Sequence, residues 1–110
     1  MDYFLTTLED LENLKSSENA FVIYFTTDNC SVGEQVGPKV LKLIENDFPK
    51  IKIAFISNSA NQELLDLLQL HIPPTLILFL ESKEYLRKTR AFGLEELKKD
   101  LTRLYEIYFK

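Results

Sequence analysis

The sequence predicts an α/β fold, a mixed sheet with helices on both faces, and three observations carry that prediction. Two runs, Ala20–Phe25 (AFVIYF) and Thr75–Leu80 (TLILFL), are apolar at almost every position and rich in β-formers, as strands covered on both faces are. Segments of helical period alternate with the strand candidates. The last two strands are joined by too short a link for a crossover, so they form an antiparallel hairpin. The expected order is βαβαβαββα.

Tyr3-Phe4-Leu5 is the first strand. Thr7 followed by Asp10 resembles a capping box and opens a helix over Leu8 to Ser16, with Leu8, Leu11 and Leu14 on its apolar face. A polar Ser-Ser-Glu-Asn break precedes the strand Ala20–Phe25, and Thr26 to Cys30 form a loop. From Ser31 to Phe48 the period is helical, with Val32, Val36, Val40, Leu43, Ile44 and Phe48 on one side. Gly37-Pro38 interrupts it, and proline removes one helical hydrogen bond, so a kink is expected there. Ile51–Ile56 is the next strand, and its helical link to Ala20–Phe25 predicts a parallel right-handed crossover. Ser57-Asn58-Ser59 is a turn, and Asn61 or Ser59 caps a short helix through about Leu70 with Leu64, Leu67 and Leu68 inward. After His71-Ile72-Pro73-Pro74 comes the strand Thr75–Leu80. Glu81-Ser82-Lys83 then turns the chain into Tyr85–Phe92, where Arg87, Lys88 and Arg90 suit a solvated edge strand. Gly93 ends that strand. Leu94, Leu97, Leu101, Leu104 and Tyr108 mark an amphipathic last helix. Tyr105, Tyr108 and Phe109 are rather apolar for such a segment, which fits a monomer or a weak dimer.

At 110 residues the chain is one domain, 1–110, and it shows no linker or repeat. The 45% apolar and 27% charged fractions are those of a globular protein. The apolar runs are far short of the roughly 20 residues a membrane-spanning helix needs, so no membrane role is expected. Met1-Asp2-Tyr3-Phe4 carries no basic region followed by an apolar stretch, so no secretory signal is expected. A net charge of -4 with no basic stripe excludes nucleic acid as a partner class. One cysteine, Cys30, excludes an internal disulfide and a self-contained dithiol cycle, and it is a poor start for a metal site. No cofactor is expected. A cluster shared by two subunits would need ligands for which nothing beyond that cysteine speaks. One cysteine and no recognisable signal fit a reducing, cytoplasmic compartment.

The chain resembles the thioredoxin family from about Thr7 to Tyr108, and four marks carry the likeness. AFVIYFTTDNC is a buried strand, a loop and a cysteine opening a helix. Pro38 follows Cys30 by eight residues, where the family's helix is kinked. Pro74-Thr75-LILF matches the family's cis-proline, threonine and central strand. AFGLEELKKDL matches the glycine and amphipathic helix after the final hairpin. The resemblance implies a thioredoxin-like three-layer sandwich. It also implies Cys30 as the attacking thiol, with Asn29, Ser31, Pro73 and Pro74 around it meeting substrate. Matching Thr75 directly puts the cis-proline at Pro74; the alternative register puts it at Pro73.

The departures from the family pattern are mutually consistent. A helix N-terminus favours thiolate, the nucleophilic form, and lowers a cysteine's pKa, while Asp28 and Glu34 oppose it. The motif reads Cys30-Ser31-Val32-Gly33, so the resolving position holds glycine. Asn29 replaces the usual tryptophan. Tyr24 replaces the usual buried aspartate, and Phe55 the lysine paired with it. Pro73 has no N–H to offer a bound peptide. Ser31 is placed to bond a Cys30 thiolate or to cap the helix, and His71 reads as a solvent-facing loop residue. Two functions stay open. One is weak monothiol exchange through Cys30 with protein or small-molecule disulfides, resolved by an external thiol such as glutathione. The other is a non-catalytic binding or chaperone-like adaptor module in which Cys30 is a relic at a helix cap.

Overall fold

Period-two alternation of apolar side chains on doubly covered strands calls for a core on each side of a sheet. The computed structural model, which describes residues 3–26, 31–89 and 92–109 with the side chains of residues 3 and 31–36 left aside, has that arrangement. Its elements are β1 (Tyr3–Leu5), α1 (Leu8–Ser17), β2 (Ala20–Thr26), α2 (Ser31–Asp47), β3 (Lys52–Ser57), α3 (Gln62–Leu67), β4 (Thr75–Leu80), β5 (Lys83–Thr89) and α4 (Leu94–Tyr108). The sheet order is β1-β3-β2-β4-β5. β3 runs parallel to β1 and β2, while β4 is antiparallel to both β2 and β5. The succession and the mixed sheet are as expected.

Alternation along β2 divides the core. Phe21, Ile23 and Phe25 pack with Leu11 and Leu14 of α1 and with Leu64, Leu65 and Leu68 at α3. Ala20, Val22 and Tyr24 pack with Val40, Ile44 and Phe48 along α2 and with Leu97 and Leu101 of α4. Each large apolar side chain so buried contributes roughly 1.5–3 kcal/mol. α1 and α2 therefore cover opposite faces, and β2 is the strand at which the winding changes side.

The capping box of α1 is complete. Thr7 Oγ1 accepts from the Asp10 N–H at 3.2 Å, and Asp10 Oδ2 accepts from the Thr7 N–H at 3.1 Å. The Thr6 N–H and hydroxyl also bond Asp10 Oδ2, at 2.9 and 2.8 Å. These donors, the Thr6 backbone foremost, hold the Asp10 carboxyl below its usual range. Pro38 lies inside α2 and faces solvent, with Val40 and Ile44 buried beyond it.

α3 corrects the reading of its leucines. It is capped by Asn61, whose Oδ1 accepts from the Glu63 N–H at 2.8 Å, and it ends at Leu67 rather than near Leu70. Leu65 is buried, whereas Leu67 is 58% exposed. The helix closes in a Schellman motif, with Leu70 N–H donating to Leu65 C=O at 3.0 Å and Gln69 N–H to Asp66 C=O at 3.1 Å. The apolar contact of that motif joins Leu65 to Leu70, which turns Leu67 outward. Gln69 takes the left-handed conformation, φ 54°, that glycine fills without strain. Gln69→Gly keeps the backbone bonds and is expected to stabilise the fold by about 1 kcal/mol, read as a higher urea midpoint at unchanged slope. A neutral or lowered midpoint would contradict the strain argument.

β5 also differs from expectation. It starts at Lys83 rather than Tyr85, its described span is Lys83–Thr89, and the hairpin turn is the pair Glu81-Ser82 at φ 52° and 65°. Two of its cations, Arg87 and Lys88, are engaged, not merely solvated. Lys88 Nζ meets Asp100 at 2.7 Å and also Glu96, both on α4, and these carboxylates hold its pKa above the usual lysine value. Arg87 turns to the opposite face. The C-terminal rings fold back on the chain: Tyr105 packs on Phe48 and Phe109, with centroids 5.3 and 4.7 Å apart, and Lys50 Nζ lies 5.4 Å from the Phe109 ring centre.

Candidate functional site

The register of β2 fixes which strand positions lie beside the end of that strand. Phe25 pairs with Thr75 of β4, and Thr26 with Ser57 of β3. The chain thus leaves β2 toward Cys30 beside the first residue after Pro74. α2 resumes at Ser31, the residue that follows Cys30 in the sequence. In open α/β sheets, ligands meet the carboxyl ends of strands where the winding changes side, and β2 ends at such a point. Asp28, Asn29, Cys30 and Arg90 lie outside the described residues, as do the side chains of Ser31, Val32, Gly33 and Glu34.

Pro73 and Pro74 are half-buried in the loop between α3 and β4, and the peptide bond between them is cis. Neither proline carries an N–H, so the loop offers a bound segment a carbonyl but no donor at these two positions. His71 is exposed, as expected, and Ile72 is 40% exposed. Thr75 is buried at 2% exposure, and its hydroxyl donates to the Ile72 carbonyl at 2.6 Å. The Thr89 hydroxyl lies 2.9 Å from that of Thr75 and 3.2 Å from the same carbonyl.

Arg87 holds the other end of this loop. Its Nη2 donates to the Leu68 carbonyl at 2.8 Å and its Nη1 to the Gln69 carbonyl at 3.2 Å, just where α3 runs out of its own donors. Nε and Nη2 also reach the two oxygens of Glu84, at 2.9 and 3.0 Å. Hydrogen bonding to Arg87 keeps the Glu84 carboxyl below its usual range. A cavity of about 190 Å³ beside the prolines is lined by Gln69, His71, Ile72, Thr75, Arg87 and Thr89. Arg87 and Thr89 escape a sequence reading because an edge strand with alternating charges looks solvated whichever side it presents. The one available signal is their spacing of two, which puts both on one face.

Behind the site, Tyr24 and Phe55 are register partners with rings 6.1 Å apart, edge to face. Tyr24 is 1% exposed. An aromatic contact thus stands at the two positions where the resemblance implies a carboxylate and a lysine. Among the described residues no three His, Cys, Asp or Glu side chains cluster to hold a metal, and no helix is long and apolar enough to cross a membrane.

No protein-family model matches the chain. The curated thioredoxin-like protein YdfQ of Bacillus subtilis is 30% identical over 104 residues, 94% of this chain and 92% of that protein. Among solved structures, a mutant thioredoxin from Halobacterium salinarum superposes with a TM-score of 0.81 at 23% identity, over 94% of this chain and 89% of that one. Fasciola hepatica thioredoxin gives 0.80 at 24%, covering 92% and 97%. Thioredoxin from Trypanosoma brucei brucei gives 0.79 at 20%, covering 96% and 92%. These three likenesses show the fold.

Proposed function

The chain belongs to the thioredoxin family, and from that premise we propose that it exchanges disulfides through one thiol, Cys30. The thiolate attacks one sulfur of a substrate disulfide R–S–S–R and releases RS⁻, leaving Cys30 joined to R. An external thiolate R′S⁻ then attacks the R sulfur, giving R–S–S–R′ and returning the Cys30 thiolate. Glycine at position 33 leaves the second step to that outside thiol, for which glutathione is a fitting chemical class. The observation that carries this reading is the Phe25–Thr75 pairing, which brings the end of β2 that leads to Cys30 beside the Pro73–Pro74 loop. Asn29 and Ser31 flank the thiol in sequence, and Pro73 and Pro74 supply the facing surface. A chain with one cysteine of this kind suits a reducing, cytoplasmic compartment.

The alternative, a binding or adaptor module without chemistry, is favoured by the Tyr24–Phe55 contact and by the missing N–H at Pro73. The rate of Cys30 alkylation against pH separates the two. Exchange chemistry predicts an apparent pKa clearly below the free-thiol value of about 8.5. An apparent pKa at or above that value would overturn the nucleophile and leave the adaptor.

A further inference from the structure

We infer that β5 sets the position of the Pro73–Pro74 loop, and that Thr89 is the positioning residue at its outer end. This rests on reading that loop as the surface that meets substrate. Hydroxyl protons settle the direction of the contacts. The Ile72 carbonyl can only accept, and of the two hydroxyls that reach it Thr75 is the nearer, at 2.6 Å against 3.2 Å, which assigns the Thr75 proton to it. Thr89, 2.9 Å from the Thr75 oxygen, is then the donor to Thr75, or shares its proton with the Ile72 carbonyl at 3.2 Å. The result is a chain of donors running from β5 through β4 to the residue before the prolines, each bond polarising the next.

Arg87, two residues earlier on the same face, takes the carbonyls of Leu68 and Gln69. Arg87 of β5 thus holds the Leu68 and Gln69 carbonyls directly, and Thr89 of the same strand backs the Thr75 hydroxyl that holds the Ile72 carbonyl, bridging the stretch from the end of α3 to the prolines. Glu84 keeps the guanidinium aimed. The apolar anchors of the same stretch, Leu68 and Leu70, fix its depth in the core. They do not fix the direction of the Ile72 carbonyl, which the hydroxyls decide. Thr89 is exposed and packs no core, so its hydroxyl can be removed with the fold intact.

The test compares Thr89→Val, which keeps the β-branched shape, with Thr89→Ser, which keeps the hydroxyl. Two rates of Cys30 are measured, with 2-hydroxyethyl disulfide and with a peptide closed by one disulfide, together with amide exchange across residues 69–72. Thr89→Val is expected to slow the peptide reaction about fivefold, the weight of one hydrogen bond. The small disulfide should react within twofold of wild type, exchange at 70–72 should quicken, and Thr89→Ser should restore both. Equal losses with the two disulfides, or unchanged amide exchange, would overturn the inference. If wild-type Cys30 reacts with neither disulfide, the proposed function fails, and amide exchange alone still decides whether β5 holds the loop.

Discussion

Tyr24→Asp, which returns the family's usual residue to this position, is expected to destabilise the protein by about 5 kcal/mol. Tyr24 is fully enclosed, with Phe55 edge-on and α2 close by: a Cβ on Gly37 would lie 3.5 Å from the Tyr24 ring. Removing a buried aromatic ring leaves a cavity that costs roughly 3–5 kcal/mol. The new carboxyl, faced by Phe55 instead of a cation, adds the cost of a desolvated polar group and takes up a proton well above its usual range. Single domains are stable by only about 5–15 kcal/mol, so the variant should be partly unfolded at room temperature. Urea denaturation reads this directly. A variant within about 2 kcal/mol of wild type would mean that water reaches the position. Adding Phe55→Lys should recover part of the loss, because Phe55 is half-buried and a lysine there can pair with the acid while its stem stays packed. The pair of substitutions should therefore cost less than the sum of the two.

Such coupling explains why so much of the fold was legible. β2 and β4 declare themselves because apolar side chains on both faces leave no other home for them. The capping box at Thr7 and Asp10 is local chemistry, visible in four residues. What sequence could not show depends on distant partners. The left-handed residue that ends α3 is a glutamine, so the usual glycine signal is absent, and the burial of Leu65 in place of Leu67 follows from that turn. Arg87 looks like any edge-strand cation until α3 presents its last carbonyls to it. The same limit applies to chemistry. The spacing of Cys30, Pro38 and Pro74 identifies the frame in which a thiol works, and Gly33 shows which partner thiol is lacking. Tyr24 reads as core and is core, while Phe55 is half-buried and packs against it. The residues that hold the proline loop, Thr75 and Thr89, are fourteen positions apart and are joined only by the β4–β5 register.

Gly33→Cys is expected to turn a protein that reduces polypeptide disulfides at background rate into one that does so at least about tenfold faster under the same external thiol. Residue 33 lies in the first turn of α2 and follows Cys30 by three positions in the sequence, the spacing of the family's resolving cysteine. A thiol placed there attacks the Cys30 sulfur of the mixed disulfide, expels the substrate thiolate, and leaves an intramolecular disulfide for an outside dithiol to reduce. Electrons balance at each step, since two thiols of the protein are oxidised as one substrate disulfide is reduced. The gain comes from geometry, because a neighbouring thiol acts at an effective concentration far above that of a millimolar reagent. An insulin-type reduction assay measures the rate, and mass spectrometry shows whether the intramolecular disulfide forms. If it forms and the rate does not rise, the missing second thiol is not what limits the protein. The limit would then lie in proton transfer past Tyr24 and Phe55, or in a proline loop whose residue 73 has no N–H to hold a peptide, and the monothiol reading would give way to the binding module.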